Sequence, residues 1–111
     1  MAPITDDQVE RVRAVITAVP AGQVTTYGDV AAVTGLSSPR IVGTILSRDG
    51  ADLPWHRVVR ASGHPAPHKH DEQLARLRAE GVLAADGRVP LGRYRTELTE
   101  LAGLTCDPPA S

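Results

Sequence analysis

Two short, capped helical segments separated by a glycine turn limit the possible folds of this 111-residue chain more than any other feature. Thr26 fits the N-cap of a first helix over residues 27–34, and Gly35 ends that helix, because glycine tolerates the left-handed conformation that a helix C-terminus often needs. Ser38 caps a second helix with Pro39 at its first position, where a missing N–H does no harm. This order predicts a helix-turn-helix unit, a pattern that many small helical domains share.

A capping box near the start of the chain predicts a longer helix. Thr5 and Gln8 have the spacing at which an N-cap hydroxyl and an N3 amide bond to each other's backbone N–H groups. Apolar residues at helical spacing carry this helix from Asp6 to Val19, and Pro20 ends it. The apolar face favours a core helix over an amphipathic helix that binds a partner.

After the helix-turn-helix, a polar loop over residues 47–53 leads to a β-branched run over 57–60 that is typical of a short strand. A further helix is expected from Asp71 to Glu80 and is closed by Gly81. Its buried face is expected to consist of Leu74, Ala75 and Leu77.

The segment from Val82 to Tyr94 contains a turn sequence, Asp86-Gly87, between short apolar runs. Extended pieces on both sides of that turn would form a hairpin or wing. The sequence therefore predicts a mainly α-helical fold with short β elements. One domain is expected over residues 1–98, with a C-terminal tail over 99–111.

The composition allows one apolar core and gives an ambiguous signal for nucleic acid. Hydrophobic residues make up 41% of the chain, but phenylalanine is absent, so Val, Leu, Ile and Ala must form the core. The net charge of −1 argues mildly against a nucleic-acid partner, because phosphate neutralisation supplies most of the affinity of such proteins. All basic residues except Lys69 are arginines, however, and the planar guanidinium suits phosphate contact and stacking.

Several classes of site are not expected. The single cysteine, Cys106, excludes an internal disulfide and a cysteine-based metal site. Three histidines lie in the loop over residues 64–70, but no cysteine or close carboxylate constellation accompanies them, so neither a metal nor another cofactor is predicted. No apolar run reaches membrane-spanning length and the acidic start does not resemble a secretory signal, so a cytoplasmic protein without membrane contact is expected.

Three motifs follow one another along the chain: Val24–Ala31 (VTTYGDVA), Ser38–Gly43 (SPRIVG) and Pro54–Val59 (PWHRVV). In this order and at these spacings they resemble the DNA-binding domain of the O6-alkylguanine-DNA alkyltransferase family. That family carries Pro-Cys-His-Arg-Val-Val at its active site, and the cysteine takes the alkyl group. Trp55 stands at the position of the cysteine, which resembles the alkyltransferase-like proteins that bind the lesion and do not remove it. The resemblance spans roughly residues 6–95 and implies a winged helix-turn-helix DNA-binding domain.

The resemblance implies a base-flipping role for two residues. In the family, a tyrosine at the start of the first helix of the helix-turn-helix drives rotation of the nucleotide at its 3′ phosphate, and Tyr27 matches it. An arginine on the second helix enters the duplex through the minor groove and replaces the extruded base, and Arg40 matches it. Thr26 and Ser38 are expected at the same DNA interface. Without the resemblance, Tyr27 would be interpreted as a partly buried core residue and Arg40 as part of a solvated helix face.

The resemblance also implies a pocket for the damaged base. Its expected residues are Trp55, His56, Arg57 and His68. Trp55 would offer stacking or van der Waals contact to an alkyl group. His56 and Glu80 match a histidine–glutamate pair that the family joins through water, and here they would tie the Trp55 segment to the helix before Gly81; contact between His56 and the flipped base is the alternative. Arg57 is expected to be structural or to contact phosphate. At the pocket edge some relatives supply an arginine, for which His68 or Lys69 would have to serve.

Together these residues predict a non-enzymatic sensor of DNA damage. An alkyl acceptor must be an activated thiolate, indole is no nucleophile toward an alkylguanine, and Cys106 lies in the expected tail. The expected partner is double-stranded DNA containing O6-alkylguanine, bound by a monomer that flags the lesion for nucleotide excision repair proteins. The alternatives are a helix-turn-helix transcriptional regulator that reads the major groove and, below it, a residual methylated-DNA–protein-cysteine methyltransferase or a DNA-processing hydrolase.

Overall fold

The computed structural model describes residues 4–66 and 69–97. Within these ranges it is mainly α-helical with two short strands, as the sequence predicts. The elements in chain order are α1 (Asp6–Ala18), β1 (Thr25–Thr26), α2 (Tyr27–Thr34), α3 (Pro39–Asp49), a 3₁₀ turn (Trp55–Arg57), β2 (Val58–Val59), α4 (His70–Ala79) and α5 (Leu91–Tyr94).

The first three helices enclose an apolar cluster built from aliphatic side chains. The capping box at the start of α1 is present, since the Thr5 hydroxyl accepts from the Gln8 N–H at 3.1 Å and the Gln8 amide oxygen accepts from the Thr5 N–H at 3.0 Å. α1 ends at Ala18, one residue before the predicted end. The most deeply buried members of the cluster are Val12, Val15, Ile16, Val30, Val42 and Ile45. Burying each such side chain stabilises the fold by about 1.5–3 kcal/mol relative to exposing it.

The helix-turn-helix unit has the predicted caps. The Thr26 hydroxyl accepts from the Asp29 N–H at 3.0 Å, and the Ser38 hydroxyl accepts from the Arg40 N–H at 3.1 Å. Gly35 ends α2 with φ of 75°, the left-handed conformation that its position requires. In the described ranges no single helix is long and apolar enough to cross a membrane; α2 and α3 together pass on length and composition but are bent by 99° at the turn.

A two-residue parallel strand pair joins the two halves of the fold. Thr25 pairs with Val58 and Thr26 with Val59, so β1 leads into α2 while β2 follows directly from the 3₁₀ turn. A second apolar cluster lies beside this pair and includes residues from both strand regions and from α4: Val24, Val59, Leu77, Val82 and Val89. The pair therefore fixes the start of α2 relative to the segment that contains Trp55.

Around Trp55 the structure differs from the predicted loop and strand. α3 continues to Asp49, so only the second half of the predicted loop over residues 47–53 lies outside a helix. Trp55–Arg57 is a 3₁₀ turn, and the strand begins at Val58 instead of Arg57. The turn closes when the Arg57 N–H donates to the Pro54 carbonyl at 3.0 Å, a local bond that the β-branched pattern does not encode.

The predicted buried face of α4 is wrong in detail, and the predicted hairpin is reduced to a single bridge across the Asp86-Gly87 turn. α4 buries Gln73 and Leu77, while Leu74 is half-buried and Ala75 is exposed. Gln73 and Leu77 are four residues apart and therefore lie on the same face of the helix, which is the face toward the core. After α4, one antiparallel bridge, between Ala85 and Arg88, closes the turn.

The last predicted extended piece is a helix. Leu91–Tyr94 forms α5, whose start is favoured by the fixed φ of Pro90 (−68°). Residues 98–111, with the predicted tail, lie outside the described ranges, so the domain boundary at 98 stays a prediction.

Candidate functional site

Two adjoining cavities lie along α3, between this helix and the segments that flank the strand pair. We call the larger one, of about 1000 Å³, the arginine cleft, because Arg40 and Arg60 line it together with Tyr27. The smaller one, of about 510 Å³, is the tryptophan pocket, which Trp55 and Lys69 line. Both cavities share Tyr27, Gly43, Ser47 and Ala66, so they form one continuous concave surface along α3.

The indole of Trp55 is half-buried and lies beside two cations. The ammonium of Lys69 is 4.9 Å from the ring centroid, and the guanidinium of Arg76 is 5.5 Å from it. The imidazole of His56 meets the indole edge-on, with ring centroids 6.3 Å apart. A cation over the face of an indole is attracted by its quadrupole, so Trp55 has a defined place in the pocket wall.

A carboxylate fixes the backbone behind Trp55. Glu80 Oε2 lies 2.9 Å from His56 Nε2, and the guanidinium of Arg57 donates to both Glu80 oxygens at 3.0 Å and 2.6 Å. A third bond from Arg57 reaches the Val19 carbonyl at 2.8 Å. The bonds from Arg57, and then from His56, lower the pKa of Glu80 from 4.5 to about 2 against the opposing effect of burial. The 3₁₀ turn is therefore tied to the ends of both α1 and α4.

His56 takes part in this network and does not line the tryptophan pocket. It is 8% exposed, and its Nδ1 is buried without a hydrogen-bond partner in the described part of the chain. This geometry favours the predicted structural pair of His56 and Glu80 over direct contact between His56 and a base.

Tyr27 and Arg40 lie together in the arginine cleft. Tyr27 begins α2 and is half-buried, and burial raises the pKa of its hydroxyl while the charge of Arg60 acts in the opposite direction. Arg40 is exposed in the first turn of α3, and no carboxylate of the described ranges pairs with its guanidinium. The helix-turn-helix thus brings both predicted flipping residues to one surface.

The model of the DNA-binding domain of the 6-O-methylguanine DNA methyltransferase family matches residues 7–82, more than half of the chain. The chain belongs to this family.

Similar proteins with known names are consistent with this family membership. The DNA base-flipping protein of Escherichia coli K12 is 45% identical over 98 residues, which cover 81% of this chain and 74% of that protein. Alkyltransferase-like protein 1 of Schizosaccharomyces pombe is 30% identical over 102 residues, covering 86% and 93%. The crystal structure of S. pombe Atl1 in complex with damaged DNA containing O6-carboxymethylguanine superposes with a TM-score of 0.75 at 27% identity, covering 84% of this chain and 97% of that one.

The sequence pattern alone does not identify Gln73, which joins the backbone of residues 56–58, just after Trp55, to Ala66 in the wall of the tryptophan pocket. Its side chain is fully buried, and its amide nitrogen donates to the carbonyls of His56 (3.0 Å) and Val58 (2.7 Å). Its amide oxygen accepts from the Ala66 N–H at 2.7 Å. The signal in the sequence was a polar residue four positions before the core residue Leu77, a place where burial requires backbone partners.

The remaining predicted site residues lie near the cavities in supporting positions. The hydroxyls of Thr26 and Ser38 are bonded to helix backbone, so they orient α2 and α3; direct contact between these residues and DNA stays a prediction. Arg57 is bound to Glu80 and Val19 and does not line either cavity.

His68 and Cys106 lie outside the described residues, while Lys69 is present at the pocket edge. Among the residues that the structure describes, no group of three or more histidine, cysteine, aspartate or glutamate side chains is arranged to hold a metal ion.

Proposed function

We propose that this protein recognises O6-alkylguanine in double-stranded DNA, turns the damaged nucleotide out through the minor groove and holds it in the tryptophan pocket without removing the alkyl group. The observation that carries the proposal is the position of Trp55. The indole lines the pocket at the sequence position where the alkyltransferases carry their acceptor thiol, while Tyr27 and Arg40 line the adjoining cleft.

The cleft has the groups that base flipping needs. A modified base cannot be inspected inside a duplex, and turning it out requires a few kcal/mol of unstacking energy. The planar guanidinium of Arg40 can stack in the vacated space and donate to the orphaned base, while Tyr27 stands beside it to engage the backbone. The names of the E. coli and S. pombe relatives and the damaged DNA bound by Atl1 support this assignment.

The tryptophan pocket can bind an alkylated base but offers no acceptor for its alkyl group. Transfer would need a thiolate in line with the alkyl carbon, and neither the indole of Trp55 nor the ammonium of Lys69 supplies one. The lesion therefore stays in the DNA, and we assign its removal to nucleotide excision repair proteins that meet the complex in the cytoplasm. The chain acts as a monomer in this proposal.

The experiment is an equilibrium titration that follows the fluorescence anisotropy of a labelled duplex containing one O6-methylguanine, with the same duplex containing guanine as reference. The wild type is expected to bind the damaged duplex more tightly. Arg40→Ala and Tyr27→Ala are each expected to reduce that preference, whereas Arg11→Ala, an exposed change on α1, should not.

Equal affinities of the wild-type protein for the two duplexes would overturn the proposal. An affinity that depends on the surrounding base sequence and not on the lesion would instead indicate a transcriptional regulator.

A further inference from the structure

The parallel strand pair places one residue that has no assigned role next to Tyr27. Because Thr26 is in register with Val59, the residues that follow them, Tyr27 and Arg60, leave the carboxyl ends of the two strands side by side. Tyr27 begins α2 and Arg60 begins the turn after β2. The sequence pattern alone gives Arg60 no function, since it predicts only the end of a strand.

The side chains of both residues reach the same cavity. Arg60 lines the arginine cleft with Tyr27 and Arg40, and no aspartate or glutamate is among the residues that line it. The charge of Arg60 also acts on the Tyr27 hydroxyl, whose pKa it lowers against the effect of burial. A hydroxyl donor and a cation therefore face the same space from neighbouring strand ends.

The backbone of Arg60 is held on both sides of its Cα. Its N–H donates to the His64 carbonyl at 2.9 Å, and its carbonyl accepts from the Gly63 N–H at 2.8 Å. Gly63 has φ of 87°, and a Cβ there would clash with the Val89 carbonyl oxygen, so the tight turn depends on glycine. The guanidinium of Arg60 thus extends from a fixed point at the rim of the cleft.

The guanidinium itself has no carboxylate partner within the described residues, although four other arginines do. The paired arginines are Arg13, Arg57, Arg76 and Arg95. An exposed guanidinium without an internal counter-ion keeps its full charge and its donors for an external anion.

We propose that Arg60 is a phosphate-binding residue of the DNA interface and that it holds, together with the Tyr27 hydroxyl, a backbone phosphate next to the flipped nucleotide. This inference rests on the proposed function and adds a residue to it. The fork of donors on Arg60 grips two phosphate oxygens, while Tyr27 pushes or donates from the neighbouring strand end. Arg60 would then anchor the backbone around which the nucleotide turns.

The first test measures how salt weakens binding of the O6-methylguanine duplex to the wild type, Arg60→Gln, Arg60→Lys and the control Arg11→Gln. Each phosphate contact contributes about 0.9 to the slope of log K against log salt concentration. Arg60→Gln is expected to lower the slope by about 0.9, and Arg60→Lys and Arg11→Gln are expected to keep it. A wild-type slope for Arg60→Gln, with an unchanged urea midpoint, would overturn the inference.

The second test locates the contact. Neutral methylphosphonates replace the phosphates that flank the lesion one at a time, and at one position the wild type is expected to lose more affinity than Arg60→Gln does. Equal losses at every position would contradict the proposed contact. If the wild type binds damaged and undamaged duplexes equally while Arg60→Gln still lowers the slope, the lesion preference fails and the phosphate contact stands.

Discussion

Arg57 and Arg60 are three residues apart in the sequence and lie in opposite environments. The side chain of Arg57 is 17% exposed and bonded to Glu80 and to the Val19 carbonyl. Arg60 is exposed at the rim of the arginine cleft, where no described carboxylate meets it. The same residue type therefore serves two purposes: Arg57 fixes the wall behind Trp55, and Arg60 leaves its charge available.

A chain with net charge −1 can still present a cationic surface, because its charges are unevenly distributed. Several of its carboxylates form ion pairs with arginines that line neither cavity, and each pair cancels one charge of each sign. The ion pairs that use them are Asp29–Arg95, Asp52–Arg13 and Glu80–Arg57. The cavity residues, in contrast, carry only positive charge. Local charge, and not the sum over the chain, determines what a surface attracts.

The largest change in stability is expected when the ion pair between Glu80 and Arg57 is broken. Glu80→Gln removes the carboxylate from a mostly buried guanidinium, and breaking such a pair lowers the free energy of unfolding by about 3–5 kcal/mol. Urea denaturation at neutral pH measures it. The matched control is Glu72→Gln, because the Glu72–Arg76 pair is about half exposed and its loss changes stability by no more than about 0.5 kcal/mol. Equal effects of the two substitutions would show that the Glu80 network is not structural.

Acid should weaken the same network. Because the folded pKa of Glu80, about 2, is depressed below 4.5, its stabilisation is fully present above pH 4.5 and is lost as the pH falls toward 2. The shift corresponds to about 3 kcal/mol, most of it lost by pH 3. The stability difference between wild type and Glu80→Gln should therefore shrink between pH 6 and pH 3. A difference that stays constant over this range would place the acid sensitivity elsewhere.

A smaller loss of stability is expected when the segment after Trp55 loses its bonds to Gln73 without a change of charge. Gln73→Met keeps a similar length but leaves the carbonyls of His56 and Val58 without their donor, which lowers the free energy of unfolding by about 2 kcal/mol. The emission of Trp55, the single tryptophan, should shift as its segment loosens. Wild-type emission together with wild-type stability would rule out this role of Gln73.

The smallest change in stability is expected for Arg40 and Arg60, the two arginines that line the arginine cleft. Arg40→Gln and Arg60→Gln remove charges that no described carboxylate pairs with, so each should alter the free energy of unfolding by no more than about 0.5 kcal/mol while weakening DNA binding. Parallel urea and anisotropy titrations separate the two effects. A large loss of stability in either variant would contradict the distinction between arginines that have a carboxylate partner and arginines that have none.

The caps of the helix-turn-helix could be predicted because their hydrogen bonds are local. Thr26, Gly35 and Ser38 each act within a few residues of the sequence, and the structure places all three as expected. The 3₁₀ turn at Trp55 and the bonding partners of Gln73 could not be predicted in this way. Gln73 bonds to residues 56, 58 and 66, and partners so far away in the sequence leave no periodic signal.

The cavities themselves were predictable only in part. The resemblance placed Tyr27, Arg40 and Trp55 in one site, and the structure brings all three to adjoining cavities. The position of Arg60 in the cleft could not be predicted, because it follows from the register in which β1 pairs with β2. Neither strand encodes that register alone.

The central claim is that the protein holds an alkylated guanine and leaves the alkyl group in place. Mass spectrometry of both components after prolonged incubation with an O6-methylguanine duplex tests it most directly. An unchanged polypeptide mass and a full recovery of O6-methylguanine in the DNA are expected, and a polypeptide heavier by one methyl group would contradict the account.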